Sequence, residues 1–198
     1  MAALNHPKIG DNIKVDPIRN VKDIKNIKKL LADHPRNLAL FITGINTNLR
    51  ASDLLKITVG QVKHLSPGDH FTTKEKKTGK PRNITINTTV YDSVRALLDT
   101  MPEAGDDEPI FQSRKGGKPL SVPYLNSLVK GWCDAVNLKG NYGSHTLRKT
   151  FGYIHRTIHG TDIPTLMTMF NHSTQKQTLA YLGIQPEEIK AAYLKTIG

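Results

Sequence analysis

Gly143-Ser144-His145-Thr146-Leu147-Arg148-Lys149-Thr150-Phe151, followed by Phe170-Asn171-His172-Ser173 and then by Tyr181, is the stretch on which the reading of this chain turns. The apolar spacing predicts helices over 145–158, 163–170 and 174–182. A His and an Arg three residues apart on a helix face the same way. Ser144 has the chemistry of an N-cap. That puts His145 and Arg148 in a first helical turn, where backbone N–H groups and the macrodipole favour an anion. His172 falls on a tight turn after Phe170-Asn171, with Ser173 or Thr174 capping the next helix, and Tyr181 lies near that helix's end. Each has a plainer reading alone: a buried, satisfied histidine for His145, and amphipathic packing for Tyr181, as for Tyr193.

Working upstream, Asn46-Thr47-Asn48-Leu49-Arg50-Ala51-Ser52-Asp53-Leu54-Leu55 opens a short helix. An arginine at a helix start can offer a planar fork of donors to a phosphate, or be an ordinary surface residue. Asp53, one turn on, can hold that guanidinium or be a surface carboxylate. The period then changes to two. His70 to Glu75 reads as a strand, Lys77-Thr78-Gly79-Lys80-Pro81 as a turn, and Arg82 to Asn87 as the partner strand. Lys74, Lys76, Lys77, Lys80 and Arg82 crowd this hairpin. They read as a solvated basic surface touching phosphates, or as a surface from which one lysine reaches into a cleft. Gln61 to Leu65 is a candidate third strand.

The remaining segments are helical. Asn20 can cap a helix carrying Val21, Ile24, Ile27, Leu30 and Leu31 on one face. Further helices are expected over Leu38 to Ile45, 88–100, 122–136 and 186–196. Pro102 to Pro109 is an acidic loop and Gly116-Gly117 a turn. Residues 1–19 are polar and aperiodic, and read as a flexible N-terminal arm. The expected fold is mainly α with a small antiparallel β-sheet, one domain over 20–198 with no separate N-terminal domain.

Composition agrees with a nucleic-acid partner. The 198 residues suffice for one domain with a real core. Lys plus Arg number 28 against 17 acidic residues, a net charge of +11, which points to a polyanion. No apolar run approaches membrane-spanning length and no basic amphipathic membrane helix is visible. The N-terminus lacks an apolar signal core, so a cytoplasmic location is expected. The single Cys133 excludes an internal disulfide and a cysteine-based zinc cluster, and reads as a half-buried packing residue.

Taken together, Arg50, Lys77, His145, Arg148, His172 and Tyr181 are a set able to transfer a phosphoryl group from DNA to protein without a metal. In that order they resemble the catalytic domain of the tyrosine recombinase (phage integrase) family. The likeness covers about residues 20 to 185. Leu49-Arg50-Ala51-Ser52-Asp53 is similar to the family's first arginine box and Lys77-Thr78-Gly79-Lys80 to its hairpin lysine. His145-Thr146-Leu147-Arg148 is similar to its His-x-x-Arg box, and His172 to Tyr181 has its His-to-Tyr spacing. Asp53 stands where Glu is more usual and Asn171 where Gly is more usual. Most members also carry an N-terminal helical domain that clamps the other face of DNA, whereas only about 20 residues precede the domain here.

The resemblance implies that Tyr181 attacks a phosphodiester to give a 3′-phosphotyrosine and a free 5′-hydroxyl. Arg50 and Arg148 would clamp the non-bridging oxygens, His172 would donate to the phosphate, His145 would take the tyrosine proton and Lys77 would protonate the leaving oxygen. Lys76, Lys80, Arg82 and Lys149 are expected to contact the DNA backbone. No cofactor and no metal is implied. Double-stranded DNA is the implied partner, bound by a homotetramer, with an accessory DNA-bending or clamp protein a further expectation. Ile189, Tyr193 and Ile197 would share a helical face that docks on a neighbouring subunit or on its own domain. Site-specific recombination (integration, excision or inversion in a mobile element) is the implied outcome. The alternatives are a catalytically silent DNA-binding regulator with the same fold, a monomeric type IB topoisomerase and, less well supported, a metal-dependent nuclease.

Overall fold

The computed structural model describes residues 15–74, 79, 81–114, 117–182 and 186–196, with the backbone alone at 180 and 186–189. Helix α1 (Val21–Leu30) begins where its capping chemistry dictates: Asn20 Oδ1 accepts the Lys22 N–H at 2.8 Å. It turns Ile27 into the core and leaves Lys22, Lys25 and Lys29 in water. Helix α2 (Pro35–Asn46) is buried nearly all round from Ala39 to Gly44, which marks it as the central element. It packs against α5 (Thr88–Leu98) and α7 (Ser144–Thr157). Its Phe41 meets Trp132 of α6 (Val122–Ala135) edge to face, with centroids 6.0 Å apart. The short α3 (Ala51–Leu54) follows α2.

The sheet is a single antiparallel pair among the described residues, β1 (His70–Lys74) and β2 (Pro81–Thr85), in the register His70↔Thr85 to Lys74↔Pro81. Phe71 and Ile84 are directly paired and both face the core. The third strand expected at 61–65 does not form. Its place is taken by α4 (Val59–Val62), because Gln61 Oε1 reaches back to the Thr58 N–H at 3.0 Å and closes a capping box. Val59 and Val62, three apart, are the buried pair there, a helical spacing rather than an alternating one.

A second correction concerns the N-terminal arm. Residues 1–14 lie outside the described residues, but 16–18 are pinned to the domain. Asp16 N–H donates to Asn141 O at 2.7 Å, its carbonyl accepts the Thr146 hydroxyl at 2.9 Å, and Ile18 N–H donates to Thr150 Oγ1 at 2.9 Å. Ile18 is 1% exposed. Such an extended tether has no period of its own, and its partners lie some 125–132 residues away. Cys133 is fully buried rather than half-buried, and burial pushes its thiol up to about 12.

The C-terminal third forms a smaller second core. Helices α8 (Ile163–Phe170) and α9 (Gln175–Leu182) pack on α7 around Phe151, Leu166 and Phe170. α8 starts where Asp162 caps it, accepting the Thr165 N–H at 2.7 Å. Helix α10 (Pro186–Tyr193) ends on Tyr193 at 87% exposure, with Leu194 just after it at 72%, so Tyr193 does not pack on its own domain. The side chain of Ile189, and Ile197 altogether, lie outside the described residues. Among the described residues no helix is long and apolar enough to cross a membrane.

Candidate active site

Arg148 is the centre of the site. It lies in the second turn of α7 and is only 4% exposed. A charge so buried must be hydrogen-bonded. Its guanidinium donates to Asn48 O at 2.7 Å and to Phe170 O at 3.0 Å, and its carbon stands 5.0 Å from the Phe170 ring centroid. Asn48 lies two residues before Arg50, and Phe170 two residues before His172. One side chain therefore locks the three predicted motifs together.

Two left-handed asparagines make those carbonyls available. Asn48 has φ 55° and Asn171 φ 53°. Asparagine tolerates this region better than other non-glycine residues. Asn171 therefore performs the turn that a glycine would, and the His172 N–H closes back on Met167 O at 3.0 Å. The Asn48 side chain donates to Met169 O at 2.7 Å, tying the Arg50 segment to the end of α8.

α7 itself starts one residue earlier than expected. Gly143 is the N-cap and Ser144 the first helical residue; Thr146 Oγ1 accepts the Gly143 N–H at 3.0 Å, and Asn126 Oδ1 accepts the Ser144 N–H at 3.0 Å. His145 is exposed in the first turn. Desolvation of the ring, then the charges of Arg148, Lys149 and Arg50, hold its pKa below the usual 6.5, although water at this exposed residue limits both effects. Arg50 is the half-buried N-cap of α3, and its charge reaches both His145 and Tyr181. Asp53 is 2% exposed and accepts the Ser52 hydroxyl at 3.3 Å, so it is an internal residue and not a surface carboxylate.

Tyr181 closes the site from α9. Its ring lies 5.0 Å from Phe170 and 5.6 Å, edge on, from His172, with Lys149 Nζ 5.5 Å from its centroid. Its hydroxyl is shielded from water without a well-formed hydrogen bond, while Arg148 lies close enough to favour the phenolate by charge and by partial hydrogen bonding. Burial outweighs that help and pushes the phenol up to about 12. The half-buried His172 stacks on Phe170 at 5.1 Å. Gly152 permits the close approach of α9, because a Cβ there would run into Leu182 and Phe170.

The structure thus brings together Arg50, His145, Arg148, His172 and Tyr181; Lys77 lies outside the described residues. Two side chains expected on DNA are engaged internally. Half-buried Arg82 donates to Asn48 O at 3.2 Å and to Met169 O, bracing β2 against the segments that carry Arg50 and His172. Lys149 lies against the Tyr181 ring. Asn48 and Gly152 were not singled out from the sequence; an asparagine two residues before the arginine of a helix-opening motif was the one available signal for Asn48. The assembled group is strongly cationic and suits a phosphate with charge spread over its oxygens.

Residues 19–188 match the model of the phage integrase family. The chain is 37% identical over 180 residues to the probable integrase/recombinase YoeC of Bacillus subtilis (strain 168), covering 90% of this chain and 95% of that protein. It is 26% identical over 192 residues to the tyrosine recombinase XerC of Rickettsia africae (strain ESF-5), covering 93% of this chain but 58% of that one. The crystal structure of XerH site-specific recombinase bound to palindromic difH substrate, a post-cleavage complex, superposes with a TM-score of 0.74 at 17% identity, over 92% of this chain and 53% of that one.

Proposed function

This chain belongs to the phage integrase family, and from that premise we propose that it is a tyrosine-type site-specific DNA recombinase that cuts and rejoins double-stranded DNA through a 3′-phosphotyrosine. The observation that carries the reading is Arg148. A buried guanidinium, held by the carbonyls of Asn48 and Phe170, brings Arg50, His172 and Tyr181 to one place.

In the proposed reaction the Tyr181 oxygen attacks phosphorus in line. The bond to phosphorus forms as the bond to the 5′-oxygen breaks. Arg50 and Arg148 carry the charge that develops on the non-bridging oxygens, and His172 donates a further hydrogen bond. With its phenol near 12, Tyr181 is not ionised at neutral pH, so its proton must leave during attack. His145, kept neutral by desolvation and then by its cationic neighbours, receives it. Lys77 supplies the proton to the 5′-oxygen. The phosphotyrosine conserves the bond energy, and a 5′-hydroxyl from a second duplex reverses the step to join new partners. Residues 20–198 act as the catalytic domain in the cytoplasm.

Two cuts on each of two duplexes call for a homotetramer on DNA, with the face of α10 that bears Tyr193 turned toward a neighbouring subunit. The chain spans just over half the length of the rickettsial XerC it matches. An accessory clamp or DNA-bending protein is a further part of the proposal.

The test is a nicked suicide substrate, drawn from a random genomic pool, incubated with protein in the presence of chelator. A covalent protein–DNA adduct on a denaturing gel that disappears in Tyr181→Phe supports the reading. DNA binding with no adduct would assign the chain to the regulator class instead. Relaxation of supercoils without strand transfer would make it a topoisomerase.

A further inference from the structure

We infer that Thr178 is a positioning residue: its hydroxyl engages His172 Nδ1, directs the donor Nε2–H toward the phosphate, and makes docking of α9 set the nucleophile and its phosphate-binding histidine in one event. The inference rests on the recombinase reading of the site and deepens it.

Thr178 is 0% exposed, and its Oγ1 lies 3.0 Å from His172 Nδ1. The Thr178 hydroxyl sits where an unmade hydrogen bond is costly. A neutral imidazole has one donor nitrogen and one acceptor, and the partner of one fixes the other. With the Thr178 hydroxyl donating to Nδ1, the ring proton resides on Nε2, which then donates to an anion. The opposite tautomer would turn a lone pair toward the phosphate oxygens. If the ring is protonated, the hydroxyl reverses and accepts from Nδ1, and Nε2 still donates. The ring plane is already fixed by Phe170, stacked at 5.1 Å and 21°, and by Tyr181, edge on at 5.6 Å and 74°. The remaining freedom is which edge carries the proton, and the Thr178 hydroxyl places it on Nε2 when it donates to Nδ1.

The position of Thr178 adds a consequence. It stands three residues before Tyr181 on α9, so both side chains lie on one face of the helix. An undocked α9 would remove the nucleophile and release His172 from its tautomer together. Cleavage would then require both from the same docking step.

Two measurements on the full chain test this. The 15N NMR signature of His172 in DNA-free protein reads the tautomer directly, and single-turnover adduct formation across pH reads its effect. Wild type and Thr178→Ser are expected to hold the Nε2–H form and to cleave at similar rates. Thr178→Val is expected to lose that preference, to cleave about tenfold more slowly with an altered pH profile, and to bind DNA as before. A proton on Nδ1 in the wild type, or a Thr178→Val protein with wild-type tautomer and rate, overturns the inference. If Thr178→Val does not fold, the wild-type and Thr178→Ser tautomers decide. Absence of any adduct from the wild type would sink the recombinase reading separately, and the tautomer would still uphold or overturn the contact.

Discussion

The Arg148 guanidinium donates to the carbonyl oxygen of Asn48 at 2.7 Å across 100 residues of sequence. This bond aims one arginine of the site by means of the loop that presents the other. The first prediction follows from it. Arg148→Lys keeps a charge but loses the fork, and an ammonium cannot hold the Asn48 and Phe170 carbonyls together while facing a phosphate. Adduct formation should fall by about 10²–10³-fold, with DNA binding much less affected. Single-turnover cleavage set against gel-shift affinity would check this, and a lysine variant that cleaves normally would refute it.

Arg82 is predicted to behave as an internal brace. Arg82→Gln should lower the thermal midpoint, since the Asn48 and Met169 carbonyls lose donors. The salt dependence of DNA binding should keep its slope. A phosphate contact would instead lower that slope by about one counterion. Affinity measured over a salt series separates the two.

The pH dependence has a definite sign. His145 has its pKa lowered from 6.5, chiefly by desolvation and then by Arg148, Lys149 and Arg50. As a base it must be neutral, so cleavage should rise with pH through a pKa below 6.5 and level off above it. The same shift makes the folded state resist protonation. Its stabilising contribution is present above 6.5 and is lost as pH falls from there toward the folded pKa. A rate profile whose rising limb lies well above 6.5 would exclude His145 as the base.

Gly152→Ala should detach the nucleophile from the site. The added methyl meets Leu182 and Phe170, so α9 must shift. The cost is about 1–3 kcal/mol of overpacking, felt mostly in the small C-terminal core. The expected result is near-normal DNA binding with strongly reduced adduct. Hydrogen exchange should show loosening confined to α8 and α9.

Ile18→Ala tests whether the segment before α1 is structural. A side chain 1% exposed in the main core should cost roughly 2–4 kcal/mol on truncation. Urea unfolding would measure it. A change of under about half a kcal/mol would mean that the segment is a loose arm after all.

The sequence alone was enough for the class of the fold and most helix positions, and it named the five described candidate side chains that the fold brings together. Helix caps, apolar periodicity and the order Arg50, Lys77, His145, Arg148, His172, Tyr181 are local or ordinal signals, and they survive being read in one dimension. Asn20 and the run Ile163–Phe170 are cases in which capping chemistry and spacing placed the element where it is. Gln61 to Leu65 failed because a capping interaction over three residues outweighed a weak alternation.

Only the tertiary structure decided which cations are engaged inside the domain. Arg82 and Lys149 are indistinguishable from DNA-contacting residues by type and by neighbours. Their partners, Met169 and Tyr181, lie 87 and 32 positions away. Ile18 is a core residue because of Thr150, and Thr178 matters because of His172. A buried hydrogen bond is a property of two points in space, and long-range chain folding, not local propensity, brings those points together.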